Sequence, residues 1–116
     1  MRKHPIVDAM ADMLEGDPSL TGKELSARLG LSVSRLARVF KAQRGMSIVE
    51  YRHRLRFARF FALVTKQVNR PQTLMEAARI AGFGSYPHFH RLFCARWHKR
   101  PREMVRDATT LATLGK

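Results

Sequence analysis

The side chains best suited to chemistry in this sequence are arginines and their polar neighbours on two short, corresponding stretches. Arg38 sits among Ser34, Arg35, Ala37 and Lys41, and Arg91 among Tyr86, Pro87, His88 and His90. An arginine presented from the first turns of a helix can bond guanine O6 and N7 together in the major groove, at about 1 to 3 kcal/mol of discrimination. On a helical wheel Val33, Leu36, Val39 and Phe40 share one face and leave Ser34, Arg35, Arg38 and Lys41 on the other. Tyr86, Phe89, Leu92 and Phe93 group in the same way and leave Pro87, His88, Arg91 and Cys94 outward, with His90 flanking. Arg38 and Arg91 are the leading base-reading candidates, set against the plainer readings of a phosphate contact or a solvated arginine. Tyr86 fits a core and a thymine methyl equally well.

Other chemistries fit less well. His88 and His90 are two residues apart, which on a helix separates their side chains by about 200°, so they cannot chelate one ion as an i, i+4 pair could. No metal and no cofactor is expected. Serine, histidine and aspartate are all present, but nothing resembles a nucleophile elbow, a phosphate loop or a paired-carboxylate arrangement, so no enzyme is expected. The single cysteine, Cys94, can form neither an internal disulfide nor a Cys-rich zinc site, and reads as an inert thiol in a reducing compartment.

Helices must position these residues. Apolar residues recur at helical spacing nearly throughout and no stretch sustains strand-like alternation, so an all-α chain of seven helices is expected. The first runs from about Ile6 to Glu15, started by Pro5 and stopped by Gly16-Asp17-Pro18. Thr21 caps a second that ends at Leu29 before Gly30, and Ser32 a third that reaches Arg44 before Gly45. Ser47 starts a long fourth helix to about Lys66. Thr73 caps a fifth ending at Gly82, Gly84 or Ser85 starts a sixth reaching about His98, and Pro101 opens a seventh that fades near Gly115. Pro87 falls in the first turn of the sixth, where proline costs little.

The chain also repeats itself. Glu24 and Gly30 correspond to Glu76 and Gly82 at an offset of 52, and Leu36, Arg38 and Phe40 to Phe89, Arg91 and Phe93 at an offset of 53. Each unit is a short helix, a glycine turn and a second helix, with Ser26 or Ala78 four residues before the glycine to allow close approach. That is a helix-turn-helix pattern, present twice. The fourth helix between them interleaves Arg52, Arg54, Arg56 and Arg59 with Tyr51, Leu55, Phe57, Phe60 and Phe61. It reads as a strut that buries Ile48, Tyr51, Leu55 and some of the phenylalanines while its arginines reach DNA backbone or solvent; a basic amphipathic helix for a membrane or partner is the weaker reading.

Charge supports a polyanionic partner. Twenty-two Lys and Arg against nine Asp and Glu in 116 residues leave +13, and 45% apolar residues are enough to fold one domain. The excess is not a tail: residues 25 to 72 carry +10 and residues 73 to 100 carry +4, whereas residues 1 to 24 carry −2. A solvated surface is the ordinary account of such charge. A basic face on fixed helices is instead the footprint of nucleic-acid binding, driven by counterion release. The longest apolar run, Phe60-Phe61-Ala62-Leu63-Val64, is far too short for a membrane span, and no signal-peptide core forms. A soluble, intracellular protein is expected.

The stretch Leu29-Gly30-Leu31-Ser32, then Leu36, Arg38, Phe40 and Lys41, then Gly45, Ser47, Tyr51, Arg54 and Arg56, then Ala78, Gly82-Phe83, Ser85, Phe89, Arg91, Phe93 and Pro101 resembles the DNA-binding domain of the AraC/XylS transcription regulators. The resemblance covers about residues 6 to 106 and is most specific from Ala78-x-x-x-Gly82-Phe83 to Pro101. It implies one DNA-binding domain over residues 1 to 116, with a first helix-turn-helix lobe at about 6–46, a linker helix at 47–67 and a second lobe at 72–113. It implies that both recognition helices enter successive major-groove segments on one DNA face, about 34 Å apart per helical turn. Ser34, Arg35, Ala37 and Arg38 would then read the first segment and Tyr86, Pro87, His88, His90 and Arg91 the second. Ser32, Lys41, Arg52, Arg54, Arg56 and Ser85 would hold the backbone. The expected partner is double-stranded DNA, with RNA polymerase a second candidate, in a bacterial cytoplasm at the nucleoid; no membrane partner is expected. With only about 20 residues before the first helix-turn-helix, the chain is expected to be either a small stand-alone regulator or a domain of a longer one.

Four positions depart from the family pattern. Ala77 stands for a larger aliphatic, Phe60 for a small alanine, Trp97-His98 for Phe-Gly, and Met104 for an aromatic. Phe60 and Ala77 are expected to compensate in volume. With Ser34 and Ala37 small, the first recognition helix has little besides Arg38 and Arg35 to specify bases, so weaker discrimination is expected there. A nonspecific architectural or RNA-binding protein is the rival reading; it accounts for the charge but not for the duplicated helices.

Overall fold

The structure, a computed structural model, describes residues 4–66 and 68–106. Among these residues the chain is all-helical, with six complete helices and a seventh helical segment at residues 101–106. The expected end of the seventh helix near Gly115, and the boundary at 113, lie outside the described residues. The chain forms two compact units, Met1–Leu55 and Arg56–Lys116.

In the first unit, α1 (Pro5–Gly16) begins on its proline and is capped by His4, whose Nδ1 accepts from the Val7 N–H at 3.4 Å. α2 (Gly22–Leu29) starts with a reciprocal capping box. Thr21 Oγ1 accepts from the Glu24 N–H at 3.1 Å, and Glu24 Oε1 accepts from the Thr21 N–H at 3.3 Å. Ser32 opens α3 (Val33–Arg44) by accepting from the Arg35 N–H at 3.2 Å. Between α2 and α3 the Ser26 hydroxyl donates to the Leu31 carbonyl at 2.6 Å, so this small residue closes the turn as well as making room for it. Val7, Met10, Leu14, Leu20, Leu25, Leu36 and Phe40 form the buried core, and Ile48, Tyr51 and Leu55 from α4 (Ile48–Val64) pack on it. Tyr51 sets its ring edge-on to Phe40 at 5.2 Å and donates its hydroxyl to Glu15 Oε1 at 3.1 Å.

The second unit contains the rest of α4, α5 (Leu74–Ala81), α6 (Tyr86–Trp97) and the segment from Pro101. Its core is aromatic. Phe57, Phe60, Phe83, Phe89 and Phe93 are buried with Val64, Ala77, Ala78 and Ala81, and Phe61, Trp97, Met104 and Val105 pack against them. The Phe60 and Phe89 rings lie 4.7 Å apart, within the range where tilted aromatic pairs attract beyond their area burial. Phe60 and Ala77 are both fully buried in this one cluster, so the large-for-small and small-for-large departures fall in the same core.

The expected turn after α6 forms without a glycine. His98 takes the left-handed conformation, φ 56°, as C-cap, and its N–H donates to the Cys94 carbonyl at 2.8 Å. α6 therefore ends at Trp97, one residue before the expected end. This conformation, which strains a residue with a Cβ and not a glycine, lies between Trp97, packed edge-on against Phe57 at 4.8 Å, and the fully buried Pro101.

Candidate nucleic-acid interface

α3 presents a clean outer face. Leu36 and Phe40 are buried and Val39 is half-buried, whereas Ser34, Arg35, Ala37, Arg38 and Lys41 are exposed. The Ser32 hydroxyl is engaged in the cap, so its side chain fixes the first turn. Val33 departs from the inward face expected for it. It is 47% exposed, and its Cγ1 stands 3.0 Å from where a Cβ on Gly22 would lie, so it covers the start of α2 and not the core.

α6 is organised the same way with different side chains. Ser85 accepts from the His88 N–H at 3.2 Å, and Pro87 sits in the first turn, where its missing N–H leaves no helical bond unmade. Phe89 and Phe93 are buried; Pro87, His88 and Arg91 are exposed; Tyr86 and His90 are half-buried. The Tyr86 ring stacks obliquely on Phe89 at 5.5 Å and lies 6.1 Å from the His90 ring, so it serves as edge of the core and part of the outer face together. Burial raises its phenol pKa above the usual value, keeping the hydroxyl protonated and able to donate. Cys94, expected outward, is half-buried, with Sγ 3.6 Å from His90 Nδ1. One nitrogen of His90 thus faces the next turn of its own helix.

The remaining candidates separate by exposure. Arg54 is exposed, with Glu50 Oε1 3.8 Å from it, an i, i+4 ion pair too loose to hold the guanidinium from another anion. Arg52 and Arg56 are half-buried: Arg52 Nη2 donates to the Leu20 carbonyl, and Arg56 lies against Gly82. A cleft of about 390 Å³ beside α6 is lined by Tyr86, His90, Arg100, Arg102 and Arg106 with Pro101 and Glu103. It brings three arginines that sequence reasoning left unassigned next to two α6 candidates. Their only sequence signal was their charge, and direction depends on how the Pro101 segment packs. Among the described residues, no group of three or more His, Cys, Asp or Glu side chains could hold a metal ion, and no helix is long and apolar enough to cross a membrane.

Comparison with known proteins bears on the family and the fold. A family model described as a helix-turn-helix domain matches residues 25–107, from within α2 to beyond the Pro101 segment. Among solved structures, the C-terminal domain of AraT, a response regulator from Geobacillus stearothermophilus, superposes with a TM-score of 0.78 at 20% identity, over 92% of this chain and 88% of that one. At that identity the likeness speaks for the fold. No curated protein matches.

Proposed function

This chain belongs to the AraC-type helix-turn-helix family, and from that premise we propose that it is a sequence-specific DNA-binding transcription regulator with α3 and α6 as its two recognition helices. The reading rests on one observation: both helices start at a serine cap and turn polar or basic side chains to solvent from their first two turns. Those turns are the part of a recognition helix that meets base edges. Arg38 and Arg35 read the first major-groove segment, with Ser34 and Ala37 small enough to let α3 approach closely. Arg91, His88, His90, Tyr86 and Pro87 read the second. The cap serines Ser32 and Ser85 position these turns, and Lys41 and Arg54, joined by Arg102 and Arg106 from the cleft, neutralise phosphates. The protein acts at DNA in the cytoplasm, and RNA polymerase is the partner through which it would control transcription.

Selection from random duplex DNA tests this. The expected result is an asymmetric motif in two parts about one helical turn apart, more sharply defined where α6 reads than where α3 reads. Recovery of no motif above background, with tight salt-sensitive binding to any duplex or RNA, would leave the nonspecific reading in its place.

A further inference from the structure

The four arginines of α4 are in two different situations. Arg54 and Arg59 are exposed, whereas Arg52 and Arg56, one helical turn apart, are half-buried with their Nε atoms shut off from solvent. Within the first unit Arg52 donates to the carbonyl of Leu20, the residue just before the Thr21 cap, and Leu20 itself is buried. Within the second unit Arg56 lies along the glycine that ends α5. A Cβ at Gly82 would meet Arg56 Nε at 3.3 Å, Cγ at 3.6 Å and Cδ at 3.7 Å. Gly82 has φ 107°; its N–H donates to the Ala78 and Arg79 carbonyls, and the N–H of Phe83, two residues before the Ser85 cap of α6, donates to the Ala78 carbonyl. A guanidinium is a rigid planar fork, so one that is half-buried and held to a backbone carbonyl or packed against a turn has less freedom to reach out to a phosphate than the exposed Arg54.

The geometry points to Arg52 and Arg56 as positioning residues. Arg52 fixes the entry to the first helix-turn-helix and Arg56 the turn of the second, each orienting the recognition helix of its own unit, and neither neutralises a phosphate. This assignment rests on the reading that α3 and α6 contact bases.

The test compares Arg52→Met, Arg52→Lys, Arg56→Met and Arg56→Lys with Arg54→Ala in the full chain, using amide exchange without DNA and binding to the selected duplex across a salt series. For Arg56→Met, exchange should quicken at residues 82–89, and discrimination at the α6 segment should fall about tenfold while the salt slope stays at the wild-type value. For Arg52→Met the same is expected at residues 20–25 and the α3 segment. The lysine variants keep the charge, so a phosphate ligand would be rescued by them; positioning residues should not be, and discrimination should stay low. Arg54→Ala should lower the salt slope by about 1 without altering exchange or base preference. A slope lowered by about 1 in either methionine variant, or lysine variants with wild-type discrimination, overturns the assignment for that arginine. Exchange unchanged in both methionine variants overturns it without reference to DNA. Failure of the wild-type chain to prefer any sequence would sink the functional reading instead, and the exchange measurements would still stand.

Discussion

The two helix-turn-helix units share their backbone devices and differ in what fills them. Leu36 and Phe89 are equivalent positions, as are Phe40 and Phe93, and all four are buried. Around Leu36 the core is chiefly aliphatic, built from Val7, Met10, Leu14, Leu20 and Leu25. Around Phe89 it is a stack of rings, with Phe57, Phe60, Phe83 and Phe93 all within 6 Å of it. The turns differ too: Ser26 bridges its turn by a hydrogen bond, whereas its counterpart Ala78 is buried in the core. The outer faces diverge in parallel, small and doubly arginine on α3, large and aromatic or imidazole on α6. Geometry is thus repeated through caps and turns, which depend on backbone, while core chemistry and outer side chains are free to vary independently in each unit.

The comparison can be broken most severely in the cores. Phe89→Ala should destabilise by about 3–5 kcal/mol, because a large cavity opens between rings that cannot collapse together; Leu36→Ala should cost about 2–5 kcal/mol. Denaturant unfolding checks both, and a Phe89→Ala loss below that of Leu36→Ala would show the ring cluster to be loosely packed.

Next in size are the outer faces. Arg91→Ala and Arg38→Ala should each relax base preference at one position by about 1–3 kcal/mol, read by competition among single-base variants of the selected duplex. Equal weakening of all sequences by Arg91→Ala would move that arginine to the phosphate-binding set. Position-specific loss for Arg91 alone would sharpen the contrast, leaving α3 as an anchoring helix.

The caps come third. Thr21→Ala should cost about 1 kcal/mol, since it removes one half of a reciprocal box. Thr73→Ala should cost less: Thr73 accepts from the Glu76 N–H at 3.0 Å, but the Glu76 carboxylate accepts from Gln72 at 3.4 Å and not from the cap residue's own N–H. Paired thermal unfolding curves measure the difference, and equal losses would mean the reciprocal bond adds nothing.

The smallest effect runs the other way. His98→Gly should stabilise by roughly 0.5–1 kcal/mol, because the left-handed φ of 56° strains any residue with a Cβ. A lower melting temperature in this variant would show that the imidazole contributes more than its backbone strain removes.

Local chain chemistry was enough for the helices. Serine or threonine caps, glycine closures and a proline at N1 act within a few residues, so Thr21, Ser32, Thr73, Ser85, Gly30, Gly45 and Gly82 marked element ends to within about two residues of where they lie. Periodicity was also enough to separate buried Leu36, Phe40, Phe89 and Phe93 from exposed Arg35, Arg38, His88 and Arg91, because a helix turns side chains at a constant angle. The same rule failed at the edges of the faces. The wheel puts Val33 inward and Cys94 outward, but Val33 is exposed against Gly22 and Cys94 is half-buried with its sulfur beside His90 Nδ1. The long flexible arginines of α4 were the least legible, since all four read alike as charge. Only packing separated exposed Arg54 from Arg52 on the Leu20 carbonyl and Arg56 on Gly82, because a side chain with several rotatable bonds takes its direction from what lies within its reach.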